Sequence, residues 1–471
     1  MSESELPGAT ADLDADDANI MDREDRLKPE FVARVLDAVE AGDDATARAL
    51  VEPLHPADVA DLIELARGDE RDGLVAALAG IVDADVLAEL NEHVRDELID
   101  EMGPQQLADL AGQLDTDDAV ALLEDLEDDE QRAVLRAMEP DDRAAIEEAL
   151  SYPEESAGRL MQRDLIAVPQ HWKVGQVIDF LRSGEELATD FWEVFVVSPT
   201  HHPIGTCKLS SILRAPRRAL VADIMIDEQT LIPVGMDQEE VALRFQKYAL
   251  ISAAVVDPSG RLVGMITVDD IVHIIQEEAG EDVLLLSGAG DGDINEPIHL
   301  TIRTRLWWLV VNLGTAMLAA AVVGGFEAEI SKLAVLAVLM GIISGMGGNA
   351  GTQTLAVVVR ALATNQLTSS NTVRMVRREL VIALANGVVL ALITGGGTIL
   401  IYGNVPLGLV MGAAMIINNL VAGLSGILVP IGLEKARIDP AVSSAVFVTM
   451  ATDVMGFFSF LGLAQLAGLA G

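Results

Sequence analysis

Five long apolar stretches in the last third of the chain constrain this sequence more than any other feature. They lie near residues 306–326, 333–358, 380–402, 407–433 and 441–470. Each is long enough to cross a hydrocarbon layer of about 30 Å as a helix. Unpaired backbone groups are not tolerated in lipid, so these stretches read as spanning helices. Small residues crowd them, as in 341–345 and 408–412, and small residues let helices approach closely.

Charge is segregated from this apolar mass. Residues 301–471 hold nine basic and six acidic side chains, against 22 and 68 in residues 1–300. The net charge of −43 and the mean hydropathy of +0.35 therefore describe a soluble acidic part joined to a membrane part. No basic patch exists to neutralise phosphates, which argues against a nucleic-acid partner. Cys207 is the only cysteine, so no intrachain disulfide is expected and a reducing compartment fits. Six lysines stand beside 74 acids, a halophilic-type acidic surface that would stay soluble in molar salt. Most of the carboxylates are accordingly read as solvated surface.

The loops between the spans give an orientation. Arg303 and Arg305 precede the first span, Arg360, Arg374, Arg377 and Arg378 follow the second, and Lys435 and Arg437 follow the fourth. Eight of the nine basic residues thus share a side with the acidic part, which the positive-inside rule places in the cytoplasm. No secretory signal precedes the acidic start, consistent with a cytoplasmic N-terminus, an extracytoplasmic C-terminus and residence in the cell membrane.

The soluble part carries two repeats. Residues 1–28 read as an acidic disordered tail. Residues 29–158 repeat every twelve residues, with one apolar column at Leu74, Val86, Leu98, Leu110, Leu122, Val134 and Ile146 and a second at Leu78, Leu90, Met102, Leu114, Leu126, Met138 and Leu150. Turn and cap residues (Pro56, Asp83, Pro104, Thr116, Asp128, Pro140) recur between them, predicting short helices stacked as a superhelix. From 159 to 270 a longer unit occurs twice, in residues 159–221 and 222–270. Leu165–Val168 matches Leu231–Val234, and Val196-Val197 matches Val255-Val256. The first copy carries about seven extra residues around 185–191. Each copy reads strand, helix, strand, turn, strand, helix, which resembles a tandem pair of CBS domains. A helix and linker over 271–304 join the pair to a transmembrane domain over 305–471. The fold class is multidomain: an all-α superhelical N domain, an α/β tandem CBS pair and an all-α five-helix transmembrane domain. No HExxH, phosphate loop or Ser/His/Asp grouping appears, so an enzyme is not expected.

Within the spans, Asp453 stands out as the one carboxylate deep in an apolar stretch, about 18 Å along a helix from Ala441. Such a residue usually faces a water-filled cavity or pairs with a partner. Asn349 sits in Gly345–Gln353, a run that reads as too glycine-rich for an undisturbed helix, and Asn418 and Asn419 lie in the fourth span. Carboxylate, amide and carbonyl oxygens are hard ligands suited to Mg²⁺. The residues alone reach a divalent-cation pathway with a cytoplasmic regulator.

From about residue 50 to 470 the chain resembles the MgtE-type magnesium channel family. The resemblance rests on Leu54-His55-Pro56-Ala57-Asp58, on Ser151–Met161, on Gly347–Gln353, and on Asp439-Pro440-Ala441 with Thr452-Asp453-Val454-Met455-Gly456. It implies a homodimer in the lipid bilayer with one pore, Asp453 as its cation-binding carboxylate, and Thr452 beside it. It implies a plug helix over 271–304 and a cytoplasmic lock, closed when Mg²⁺ neutralises Asp118, Asp269, Asp270, Glu278, Glu281 and Asp282. It allows ATP at the CBS pair. Ala121, Ala249 and His273 stand where that pattern would place sensor carboxylates, which implies a retuned threshold. Two other readings compete: a transporter of Co²⁺ or Mn²⁺, and a membrane-tethered CBS sensor without transport.

Overall fold

Twelve-residue spacing in the sequence becomes twelve-residue spacing of helix starts. The computed structural model describes residues 20–24, 26–100, 102–183, 191–288, 295–368, 370–442 and 444–469, without the side chain of Asp282. The expected acidic tail and the extra residues of the first CBS-like copy lie almost wholly outside them. The chain divides into two units, Met1–Ile274 and Ile275–Gly471, each taken here by itself.

In the first unit, α1 (Pro29–Glu40), α2 (Asp44–Val51), α3 (Pro56–Leu65), α4 (Asp69–Ala77) and α5 (Ala84–Glu89) precede the most regular stretch. There α6 (Glu92–Ile99), α7 (Pro104–Ala111), α8 (Thr116–Leu123), α9 (Asp128–Ala137) and α10 (Pro140–Leu150) begin twelve residues apart. Proline opens α3, α7 and α10, where its missing N–H costs nothing. Asp83 and Asn91 accept backbone N–H groups at the starts of α5 and α6. The column Leu74–Ile146 is buried at every position except Leu110, which is half-buried. Two cores result, one built from residues 27–98 and one from 99–149.

The CBS-like copies follow. The first holds β1 (Ala167–Pro169), α11 (Val174–Leu181), β2 (Glu193–Val197), β3 (Pro203–Lys208), α12 (Leu209–Arg214) and the one-turn α13 (Val221–Ile224). The second holds β4 (Leu231–Pro233), α14 (Gln238–Tyr248), β5 (Ser252–Val256) and β6 (Leu262–Thr267), and runs into α15 (Val268–Ser287). Each sheet is ordered β1-β2-β3 or β4-β5-β6, parallel then antiparallel, with an irregularity at the same place, Val196/Val197 and Val255/Val256. One alignment shifts. Ala167 pairs with Phe195 as Leu231 pairs with Ala254, so Leu231 corresponds to Ala167 and not to Leu165. A slip of two keeps the same face of a strand inward, so apolar alternation cannot detect it.

In the second unit, α16 (Ile298–Gly324), α18 (Val335–Ala363), α19 (Thr372–Tyr402), α20 (Val405–Lys435) and α21 (Ser444–Leu466) are long and apolar enough to cross a membrane. A short α17 (Glu327–Lys332) follows the first of them. α20 is the most buried, packed by α18, α19 and α21. Two expectations are corrected here. Gly345–Gln353 is continuous helix within α18, and two of its four glycines, Gly347 and Gly351, sit at close contacts. A Cβ at Gly347 would collide with Asn418, and one at Gly351 with Val448. The third helix begins at Thr372, well before 380, which brings Glu379 inside it and buries that carboxylate. A second carboxylate thus lies within one of the five long helices, beside Arg377 and Arg378.

Candidate functional site

Asp453 lies nine residues into α21, about 14 Å from its start, and is half-buried. Ser344 of α18 donates its hydroxyl to Asp453 Oδ1 at 2.5 Å. A charge-assisted bond of this kind fixes the carboxylate and leaves its second oxygen for another ligand. Ser344 was not legible as a partner, being 109 residues away in the chain.

The other span residues singled out by sequence take different places. Asn418 is fully buried and donates from Nδ2 to the Ile343 carbonyl at 2.8 Å, bridging α20 to α18. Its Oδ1 has no hydrogen-bond partner among the described residues. Asn419 points elsewhere: its Nδ2 donates to Met415 O at 2.9 Å, and its Cβ lies against Gly387 of α19. Thr452 is buried and donates back to the Thr449 carbonyl. Asn349 is exposed on α18. The structure thus brings Asp453 next to Ser344 and separates the two adjacent asparagines onto different sides of α20.

A second constellation sits in the first unit, where α8 meets the start of α15. Asp117 is buried, and its Oδ1 lacks a hydrogen-bond partner among the described residues. Burial, then the charges of Asp270 and Asp118, push its carboxyl well above the usual range. Asp118, which solvent still reaches, is pushed up to about 6 by desolvation and by Asp270 and Asp115. Asp270 accepts from Thr267 Oγ1 at 2.7 Å and from Gln162 Nε2 at 3.3 Å. Burial raises its carboxyl too, the Thr267 hydroxyl pulls it back, and the exposed Asp269 adds to the rise. Carboxylates held together against their mutual repulsion make a ready cation site. Asp118, Asp269 and Asp270 were expected from the family resemblance; Asp117 was not, although it adjoins Asp118 on the first turn of α8. Glu278 and Glu281 lie on α15 in the second unit, and Asp282 is outside the described side chains. Ala249 caps α14 in the left-handed region (φ 50°), and His273 is exposed on α15.

A further acidic group, Glu92, Asp96 and Asp125, places one oxygen from each residue within 4.8 Å of the others. Arg95 stands 3.9 Å from Asp125 and already supplies a positive charge there.

Taken together, these features define a five-span membrane protein that carries a helical-repeat domain and a CBS pair. Comparison with known families agrees. Residues 340–463 match the divalent cation transporter model MgtE, residues 54–155 the MgtE intracellular N domain, and residues 221–277 the CBS domain. The magnesium transporter MgtE of Enterococcus faecalis is 33% identical over 323 residues, covering 68% of this chain and 70% of that protein. That of Bacillus subtilis is 28% identical over 436 residues, covering 92% and 97%. The Thermus thermophilus protein is 29% identical over 448 residues, covering 93% and 99%. The solved cytosolic domain of the Mg²⁺ channel MgtE in complex with ATP is 29% identical, covers 52% of this chain and 99% of that one, and superposes with a TM-score of 0.47. The chain belongs to the MgtE family of divalent cation transporters.

Proposed function

We propose that the chain is a Mg²⁺ channel without enzymatic activity, which conducts Mg²⁺ into the cytoplasm as a homodimer. The observation that carries this reading is Asp453, half-buried in a membrane-spanning helix and oriented by Ser344. Mg²⁺ dehydrates reluctantly and keeps several waters. One carboxylate with an oriented oxygen would hold such a hydrated ion without stripping it, and would hold it weakly enough to release it. On a two-fold axis, two Asp453 side chains would double the attraction at one depth. The relatives named as magnesium transporters support the choice of ion.

The acidic cluster of Asp117, Asp118 and Asp270 supplies the regulator. In this reading cytoplasmic Mg²⁺ occupies the cluster, cancels its repulsion, and favours a closed state through α15, where Glu278, Glu281 and Asp282 act as further ligands. The eight basic residues flanking the spans support a cytoplasmic first unit and an extracytoplasmic C-terminus. ATP at the CBS pair would parallel the solved cytosolic relative, which is in complex with ATP.

Mg²⁺ influx into proteoliposomes loaded with a fluorescent Mg²⁺ indicator tests the reading. Asp453→Ala is expected to reduce influx by at least about tenfold, as loss of a charged contact of this type does. Unchanged influx would remove Asp453 from the pathway. Flux that follows the Mg²⁺ gradient passively supports a channel, whereas preference for Co²⁺ or Mn²⁺ over Mg²⁺ would reassign the ion.

A further inference from the structure

Glu379 is 6% exposed within α19 and has neither a hydrogen-bond nor an ion-pair partner among the described residues. It lines a cavity of about 240 Å³ between α18, α19 and α20. The other polar groups on its wall are Gln353 and Thr354 of α18, Asn386 of α19 and Asn419 of α20, with the exposed Arg378 also on its lining. Asn386 lies seven residues beyond Glu379, two turns along the same helix face. Neither Asp453 nor Ser344 contributes to the cavity. Asn419 belongs to it because that residue leaves α20 toward α19, while the neighbouring Asn418 bridges to α18.

An ionised carboxylate buried without a partner is costly, and its charge calls for compensation. The wall offers one carboxylate, three amides and a hydroxyl as hard oxygen donors, with Gln353, Asn386 and the Arg378 guanidinium on its exposed side. Mg²⁺ and similar ions keep several of their waters, which the open side of this pocket leaves room for.

We propose that this cavity is a second intramembrane cation site, separate from Asp453, in which Glu379 supplies the charge and Asn386, Asn419 and Gln353 orient a partly hydrated divalent ion. The choice of a divalent ion rests on the transport reading above; the site itself rests on the cavity and its unpaired carboxylate. The site would hold one ion beside the pathway, near the end of α19 that carries Arg377 and Arg378.

The test uses full-length protein crystallised with Mn²⁺, an ion of similar ligand preference with a strong anomalous signal. Wild type is expected to show an anomalous peak at Glu379, which persists in Asp453→Asn and disappears in Glu379→Gln. In proteoliposomes, Glu379→Gln should raise the half-saturating Mg²⁺ concentration by roughly tenfold, with Glu379→Asp closer to wild type. Should Glu379→Gln fail to run as a monodisperse species, Asn386→Ala replaces it, with a weakened peak and a smaller shift expected. No peak at Glu379 in wild type overturns the inference, whatever appears at Asp453. So does a peak that survives Glu379→Gln. A peak at Glu379 in a protein that carries no flux would instead overturn the transport reading and leave the site standing.

Discussion

Asp453 was legible because a carboxylate deep in an apolar stretch violates the local rule, and such violations mark function. Its partner Ser344 was not, since no sequence spacing joins two helices 109 residues apart. Removing that hydroxyl by Ser344→Ala should loosen the carboxylate and lower Mg²⁺ influx at sub-saturating concentration about three- to tenfold, a cost of about 1 kcal/mol for one lost hydrogen bond. Influx indistinguishable from wild type across the titration would show that Asp453 is held without it. Glycine carried the opposite lesson. The run Gly345–Gln353 looked like broken helix, yet it is continuous and two of its glycines admit neighbours: Gly347 faces Asn418 so closely that no Cβ fits, and Gly351 faces Val448. Gly347→Ala should therefore destabilise the bundle by about 1–3 kcal/mol through overpacking, seen as a lower melting temperature in detergent. Gly341 has open space at the same point, and Gly341→Ala should leave melting nearly unchanged.

At the scale of elements, the twelve-residue repeat was readable because each unit returns the same turn chemistry and the same buried column. The strands of the CBS-like copies were readable in kind but not in register, since a two-residue slip preserves every inward side chain. The meeting of α8 with α15 could be expected only from the family resemblance, not from periodicity or spacing, because Asp118 and Asp270 come together through the stacking of the intervening domains. That meeting has a pH signature. A carboxyl raised in the docked arrangement binds its proton more tightly there than when the helices are apart. Docking is thus most favourable below about pH 4, weakens as pH rises from about 4 toward the value near 6 of Asp118, and carries its full repulsive cost above that. Asp117 and Asp270 shift in the same direction and add to the effect. The melting temperature of the full-length protein, at constant molar salt and without Mg²⁺, should rise as pH is lowered from 7.5 to 5. Millimolar Mg²⁺ at pH 7.5 should reproduce much of that rise. Asp118→Asn should be more stable without Mg²⁺ and less responsive to either treatment; a variant with the wild-type response would take Asp118 out of the cluster.

For the molecule as a whole, the separation of charge from apolar mass was fully legible, because a bilayer and water each select composition over long stretches. What the totals could not tell is which acids are chemistry and which are solubility. Among the described residues many acidic side chains are exposed on helices, while Asp117, Asp118 and Asp270 converge where α8 meets α15. The two populations respond differently to ions. Surface repulsion is long-ranged and is screened by any salt, with a Debye length near 10 Å at 0.1 M and about 3 Å at 1 M. A converging cluster is stabilised by a bound divalent ion, which screening alone does not replace. Lowering NaCl or KCl from molar to 0.1 M should accordingly reduce the melting temperature of the full-length protein, and restoring ionic strength with either salt should recover it equally. At 0.1 M salt, a few millimolar Mg²⁺ should recover more stability than its small contribution to ionic strength explains, and Asp118→Asn should lose that excess while keeping the monovalent-salt response. Equal recovery by Mg²⁺ and by monovalent salt at matched ionic strength would mean that the whole acidic surplus serves solubility, and that α8 and α15 meet without binding an ion.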